Sequence, residues 1–293
     1  MSRILIIGGC NYDMTAFSYN PLIEHDSNIG KLATAPGGVS RNIAVDLRYL
    51  KDDVTFLTAI GNDAHGDEIK RELHNLGIKV MNIPSSYPTS SYLAIHDSDG
   101  DLKVAICASD IYDKMKKEQI LPFIEDLKQY KKIVIDTNLN EEVLGFLFAE
   151  LPDTEFLVEG VSANKIIRLK PYLNKIHLLK CNIIEAKYLI DSDGDIEAIL
   201  NKLNRVGVTN AVISEGSKPI YISDNEKIDV VNVPPVDGIV NTSGSGDGLF
   251  AGILHLLYQD RPLKEAVEFG IKVSQQILKS PISTDPDIAK LVD

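Results

Sequence analysis

Short, wholly apolar runs alternate with amphipathic stretches along the 293 residues of the chain. Residues 4–7, Ile-Leu-Ile-Ile, have no polar position, as expected of a strand covered on both faces. Ile43, Ala44, Leu47 and Leu50 then recur at helical spacing. Residues 54–60 read as a strand. Ile69, Leu73 and Leu76 form a second helical stripe, with Gly77 placed to end it, and residues 78–83 read as a strand. The same test predicts strands at 133–136, 156–159, 176–180 and 211–214, and helices at 141–150 and 195–206. Two helices, 246–259 and 263–279, close the chain. This alternation predicts an α/β fold, a mostly parallel sheet with helices on both faces.

Two stretches depart from the alternation. Residues 13–35 carry no helical stripe. Residues 90–108 read as a hairpin around Asp97-Ser98-Asp99-Gly100. Both suit a small separate sheet, and an extended insert beside an α/β core is a natural lid that keeps water from a reactive phosphate. The expected division is a large domain of residues 1–13, 36–88 and 110–293, with a lid of 14–35 and 89–109. The pentapeptide Asp-Ser-Asp-Gly-Asp occurs at 97–101 and again at 191–195. Its glycine is fourth, not sixth, and neither loop has a glutamate at position twelve, so turn and N-cap chemistry fits better than calcium.

Composition narrows the function. At 44% hydrophobic and 25% charged residues the chain is an ordinary globular sequence, long enough for one large domain or two smaller ones. A formal charge of −12 disfavours nucleic acid and anionic membrane surfaces, yet leaves room for a nucleotide, which needs only local donors. Cys10, Cys107 and Cys181 lack CxxC spacing, which points to reduced thiols and a cytoplasmic setting. No apolar run nears the roughly 20 residues of a spanning helix, and the N-terminal one is too short for a signal peptide. No histidine has a partner at metal-ligand spacing, and His177, in an apolar strand, reads as a core residue.

The sharpest chemical signal is Asn241-Thr242-Ser243-Gly244-Ser245-Gly246-Asp247-Gly248, which opens the apolar segment 249–258. A glycine-rich turn entering a helix presents unpaired amides and the positive end of the helix dipole to an anion. A carboxylate at Asp247 repels a bare phosphate, but suits a hydroxyl that attacks one. The bland alternative is a tight connection with Asp247 as a surface cap. The chain has no G-x-x-x-x-G-K-[ST] loop, no G-x-G-x-x-G fingerprint and no H-R-D loop. Near the N-terminus, Pro36-Gly37-Gly38-Val39-Ser40-Arg41-Asn42-Ile43-Ala44 brings two glycines to a helix entry and Asn42 to its first turn. Asp13 and Asn11 follow the first strand, where open α/β sheets bind ligands.

These two motifs, in this order, resemble those of the ribokinase-like carbohydrate and nucleoside kinases, the PfkB family. The pseudouridine kinase branch is favoured by Gly8-Gly9-Cys10-Asn11-Tyr12-Asp13, Asp26-Ser27-Asn28-Ile29-Gly30-Lys31, Thr89-Ser90-Ser91-Tyr92-Leu93, Asp136-Thr137-Asn138, Val161-Ser162-Ala163 and 176–182 with Glu185-Ala186. The resemblance spans about residues 3 to 285. It implies a ribokinase-like fold and ATP-dependent phosphorylation of the pseudouridine 5′-hydroxyl. Asp247 would be the base, and the amides of Gly244, Ser245, Gly246 and Asp247 the anion hole. Asn11, Asp13, Gly37, Gly38, Asn42 and Asn138 would hold the sugar. Asn182, Ser214, Gly216, Gly244 and Gly246 would bind the nucleotide.

Glu185 would reach a magnesium ion indirectly through water, although Asn182 and Glu185 equally fit an N-cap with its third-position carboxylate. The resemblance also implies a homodimer paired through the lid. Departures from the family pattern are Asn241, where many members carry the aspartate that helps hold a monovalent cation, Glu159-Gly160 in place of Asp-Pro, and Cys181 in place of proline. Rival readings are a kinase of the same fold for another nucleoside or a free sugar such as ribose, and a non-catalytic nucleoside-binding protein.

Overall fold

The computed structural model describes residues 3–293. Its strands are β1 Ile4–Ile7, β2 Asn11–Ser18, β3 Gly30–Gly37, β4 Val54–Thr58, β5 Lys79–Asn82, β6 Ser91–His96, β7 Leu102–Ala108, β8 Lys132–Asp136, β9 Glu155–Glu159, β10 Ile176–Asn182, β11 Asn210–Ser214, β12 Ile220–Asp224 and β13 Lys227–Val231. Nine form one sheet in the order β13-β12-β11-β10-β9-β8-β1-β4-β5. All neighbours from β11 to β5 are parallel, and β12 and β13 extend the edge as an antiparallel hairpin.

The apolar runs are buried strands because both sheet faces are covered. Along β1, Leu5 and Ile7 enter one core layer and Ile4 and Ile6 the other. Helices Glu141–Glu150, Ile183–Ile190 and Ile196–Arg205 cover the first face. Helices Val39–Tyr49, Ala64–Asn75, Ser245–Leu257 and Leu263–Ile277 cover the second. Side chains that compete for backbone groups start several of them. Asp63, Asn140 and Asp195 each accept an amide hydrogen bond from three residues on. Gly77 follows the second helix at φ 71°, as its position suggested.

The remaining four strands form a separate small sheet in the order β3-β2-β6-β7. Two antiparallel hairpins, β2–β3 and β6–β7, join through the parallel pair β2–β6. Its first hairpin begins at Asn11 and ends at Gly37, so it reaches further toward the core than residues 14–35. Both Asp-rich pentapeptides are turn and cap structures. Asp97 Oδ1 accepts from the amides of Asp99 and Asp101, and Asp195 caps a helix.

One expectation is corrected. His177 is not a core residue: it is 38% exposed, sits where the β9–β10 register slips, and lies 3.9 Å from Glu155. An irregularity in the strand turns its ring out of the apolar layer.

Candidate active site

The chain runs from β1 outward to β4 and β5 on one side, then returns to build β8, β9, β10 and β11 on the other. The crevice at the carboxyl ends of β1 and β8 is therefore the topological switch point, where open α/β sheets bind ligands. Its residues come from four directions.

The first is the turn into helix Val39–Tyr49. Gly38 caps that helix at φ 101°, and a Cβ there would come within 3 Å of Asn11 Oδ1 and the Cys10 backbone. Gly37 lies in register with Asn11 and packs against the Asp13 carboxylate. Asn11 Nδ2 donates to Asp13 Oδ1. Burial pushes the Asp13 carboxyl up from its usual range, while Asn11 and the Arg41 charge oppose this.

The second is helix Ser245–Leu257. Gly244 precedes it at φ 78°, with a Cβ position only 2.0 Å from Ser283 O. The first-turn amides of Ser245, Gly246 and Asp247 have no partner one turn back inside the helix. Asn42 Nδ2 donates to Asp247 Oδ2 at 2.8 Å, spanning 205 residues of sequence. Burial raises Asp247 to about 6, opposed by Asn42 and the Lys180 charge and reinforced by Asp136 and Asp13.

The third is the end of β8. Buried Asp136 accepts from Gly9 N–H at 3.0 Å, Ser40 Oγ at 2.7 Å and both amides of Asn138 at 2.8 and 2.9 Å. It therefore ties β1, the Gly37-Gly38 helix and Asn138 together.

The fourth is the end of β10 and β11, where Asn182 and Ser214 are register partners. Asn182 and Glu185 form a reciprocal capping box: Glu185 N–H donates to Asn182 Oδ1 at 2.9 Å, and Asn182 N–H to Glu185 Oε2 at 2.9 Å. Asn182 Nδ2 adds a bond to Glu185 Oε1 at 2.7 Å. Gly216 follows β11 at φ 57° with open space around it.

A profile of the pfkB family carbohydrate kinases matches residues 1–289. The chain belongs to that family. It is thus a phosphotransferase acting on a hydroxyl of a sugar or nucleoside. It is 30% identical to a pseudouridine kinase of Escherichia coli strain K12, over 98% of this kinase and 93% of that protein. A carbohydrate kinase structure from Agrobacterium tumefaciens matches with a TM-score of 0.87 at 22% identity, covering 100% of this chain and 97% of that one. A ribokinase of Arabidopsis thaliana, solved with ribose and ATP, matches with a TM-score of 0.84 at 18% identity, covering 100% and 99%. The fold is ribokinase-like.

Three site residues of this kinase carry no role in the sequence reading, although Arg41 lies within the Pro36-to-Ala44 motif and Glu159 is one of the departures from the family pattern. Arg41 is buried, gives Nη1 to Asn42 Oδ1 at 2.9 Å and Nε to Glu72 Oε2 at 3.1 Å. It thereby fixes which end of the Asn42 amide faces Asp247. Lys180 and Glu159 are a buried pair at 3.0 Å, and Lys180 Nζ lies 3.1 Å from the Cβ position of Gly246. Burial works against the Lys180 charge, but Glu159, Asp247 and Glu185 outweigh it and hold the ammonium protonated. The cradle of amides thus has a fixed positive charge beneath it. Only the approach of β9 and β10 to the last turn-helix motif creates this.

Among the described residues no cluster of three His, Cys, Asp or Glu could hold a metal. Magnesium that rides on nucleotide phosphates keeps several waters and takes only one or two carboxylates, and Glu185 stands in the first turn of the helix after β10. A monovalent cation fits less well. Asn241 gives Nδ2 to Pro281 O at 3.2 Å and accepts Ser243 N–H at 2.9 Å through Oδ1. Its amide ties the turn to the 280s segment and brings no charge.

Proposed function

We propose that this kinase transfers the γ-phosphoryl group of ATP to the 5′-hydroxyl of pseudouridine, giving pseudouridine 5′-phosphate and ADP. The similarity to the Escherichia coli pseudouridine kinase along almost the full length of both chains carries the choice of substrate. The Asn42–Asp247 bond supports the chemistry, because it joins the sugar-side motif to the phosphate-side motif at one carboxylate.

In this reading Asp13, aided by Asn11, accepts the two ribose hydroxyls. Gly37 and Gly38 let the backbone approach the sugar, and Asn138 and Asn42 hold its other edges. The 5′-oxygen then faces Asp247, which takes its proton as that oxygen bonds to the γ-phosphorus. The bond from γ-phosphorus to the β,γ-bridging oxygen breaks, and ADP leaves with those electrons. The amides of Gly244, Ser245, Gly246 and Asp247 stabilise the charge on the moving group. Asn182, Ser214 and Gly216 border the nucleotide. Bound magnesium would neutralise phosphate charge, with Glu185 orienting one of its waters. The small sheet acts as the lid, and its outer face pairs with that of a second copy.

Initial rates on pseudouridine, uridine and D-ribose, with Asp247→Ala as control, test the proposal. Pseudouridine should lead, and Asp247→Ala should lower its turnover by about 10²–10⁴ with an unchanged melting temperature. Preferred turnover of ribose would transfer the assignment to a free-sugar kinase, and an Asp247→Ala variant within a few-fold of wild type would remove Asp247 as base.

A further inference from the structure

One half-buried cation at the cleft has no place in the mechanism above. Lys165 lies on the helical turn Ala163–Ile166, after β9. Its Nζ donates to Asn138 Oδ1 at 2.7 Å and stands 4.0 Å from Cys107 Sγ on the small sheet. It therefore bridges the core side and the lid side of the crevice. Asp113, whose carboxylate feels the Lys165 charge, is already paired with Arg168 at 2.7 Å.

The strand register shows where this cation stands relative to the sugar. Asp13 pairs with Tyr92, and Tyr92 with Cys107. These three residues share one sheet face, so Tyr92 and Cys107 stand roughly 5 and 10 Å from Asp13 along the strand-pairing direction. A ribose anchored at Asp13 fills the first step. Whatever extends from the sugar toward β7 passes over Tyr92, which is 38% exposed, and meets Cys107 and Lys165.

The Asn138 side of this gap is held still. Arg168 Nη1 donates to the carbonyl oxygens of Thr137, Asn138 and Leu139 at 3.0, 2.9 and 3.3 Å. Asn138 Nδ2 is fixed to Asp136, so its Oδ1 faces Lys165. With one ammonium proton on Asn138 and one toward Cys107 Sγ, a third is left for the gap, since an ammonium carries three donors.

We propose that Lys165 is the specificity-determining residue of a base subsite, donating to a carbonyl oxygen of a nucleobase that lies between it, Tyr92 and Cys107. This rests on the reading of the chain as a nucleoside kinase. It assigns a carbonyl-bearing base, such as uracil in either linkage, and gives a free pentose no partner for Lys165.

Cys107 supplies a readout that needs no turnover, because Cys10 and Cys181 are buried and Cys107 is exposed. Iodoacetamide alkylation of the native protein therefore reports on Cys107. Pseudouridine and uridine should slow the reaction, and D-ribose should not. In Lys165→Met the nucleoside concentration needed for protection should rise about 10–100-fold, the worth of one charge-assisted hydrogen bond, with part recovered in Lys165→Arg. The kcat/KM ratio of pseudouridine to ribose should fall by a similar factor, mainly through KM. Equal protection by ribose, or unchanged nucleoside protection in Lys165→Met, overturns the subsite. Protection by nucleosides without their phosphorylation keeps the subsite and overturns the kinase reading on which it was built.

Discussion

On the proposed reading the carboxylate of Asp247 must be ionised to take a proton, yet its burial favours the neutral acid. With its pKa raised to about 6, it is mostly ionised at neutral pH and still basic enough to receive a proton. A base is lost as pH falls through its pKa, so log kcat/KM should have an acid limb near pH 6, below which it drops tenfold per unit. Lys180 pulls this pKa down, so Lys180→Met should move the limb to higher pH as well as slow the reaction. A limb that stays in place in that variant would separate Lys180 from Asp247. None of this coupling is visible at the residue level of the sequence, where Lys180 is simply the last charged position of an apolar strand. The place of Asp247 in the first turn of a helix was legible because glycines flank it at a helix entry. The position of Lys165 at the crevice was not, since it depends on β7, whose Cys107 lies 58 residues away in sequence.

At the scale of elements, the turn before helix Ser245–Leu257 is the most constrained. Gly244 combines a left-handed backbone with a contact that no side chain fits. Gly244→Ala should therefore cost about 1–3 kcal/mol of stability and misplace the first-turn amides, seen together as a lower calorimetric melting temperature and a lower kcat. A variant with wild-type melting and turnover would show that the turn relaxes freely. The strand and helix pattern was legible wherever an element has a dry face. The β1, β8 and β10 runs and the stripes at Ile43 and Ile69 are of that kind. The edge hairpin β12–β13 was missed for a local reason. Its turn uses Asn225 and Glu226 at φ 48° and 69°, where a two-residue hairpin usually announces itself with glycine. The Asn182–Glu185 spacing fitted two meanings, and the structure realises the capping box, which keeps both side chains at the carboxyl ends of β10 and β11.

At the scale of the molecule, the two sheets divide the work. The large one is sealed on both faces, while the small one leaves its outer face open. Leu32, Val104 and Ile106 are 61%, 47% and 58% exposed there, and Leu32 and Val104 end one cross-strand row through Ala16 and Ile95. An apolar face of this kind suits burial against its own copy. The wild type should sediment as a dimer, and Ile106→Glu should shift it toward monomer while the core's melting temperature barely moves. A wild type that runs as a monomer would leave this face to another role. The small sheet has a further consequence through its inner strands. Asn11, Asp13 and Gly37 belong to β2 and β3 rather than to the core. On the proposed reading, the sugar's diol is therefore gripped by the moving part itself. Such a sheet works as a latch whose handle is the substrate: a ligand without both hydroxyls gives it nothing to pull on, and water then keeps its access to the phosphates.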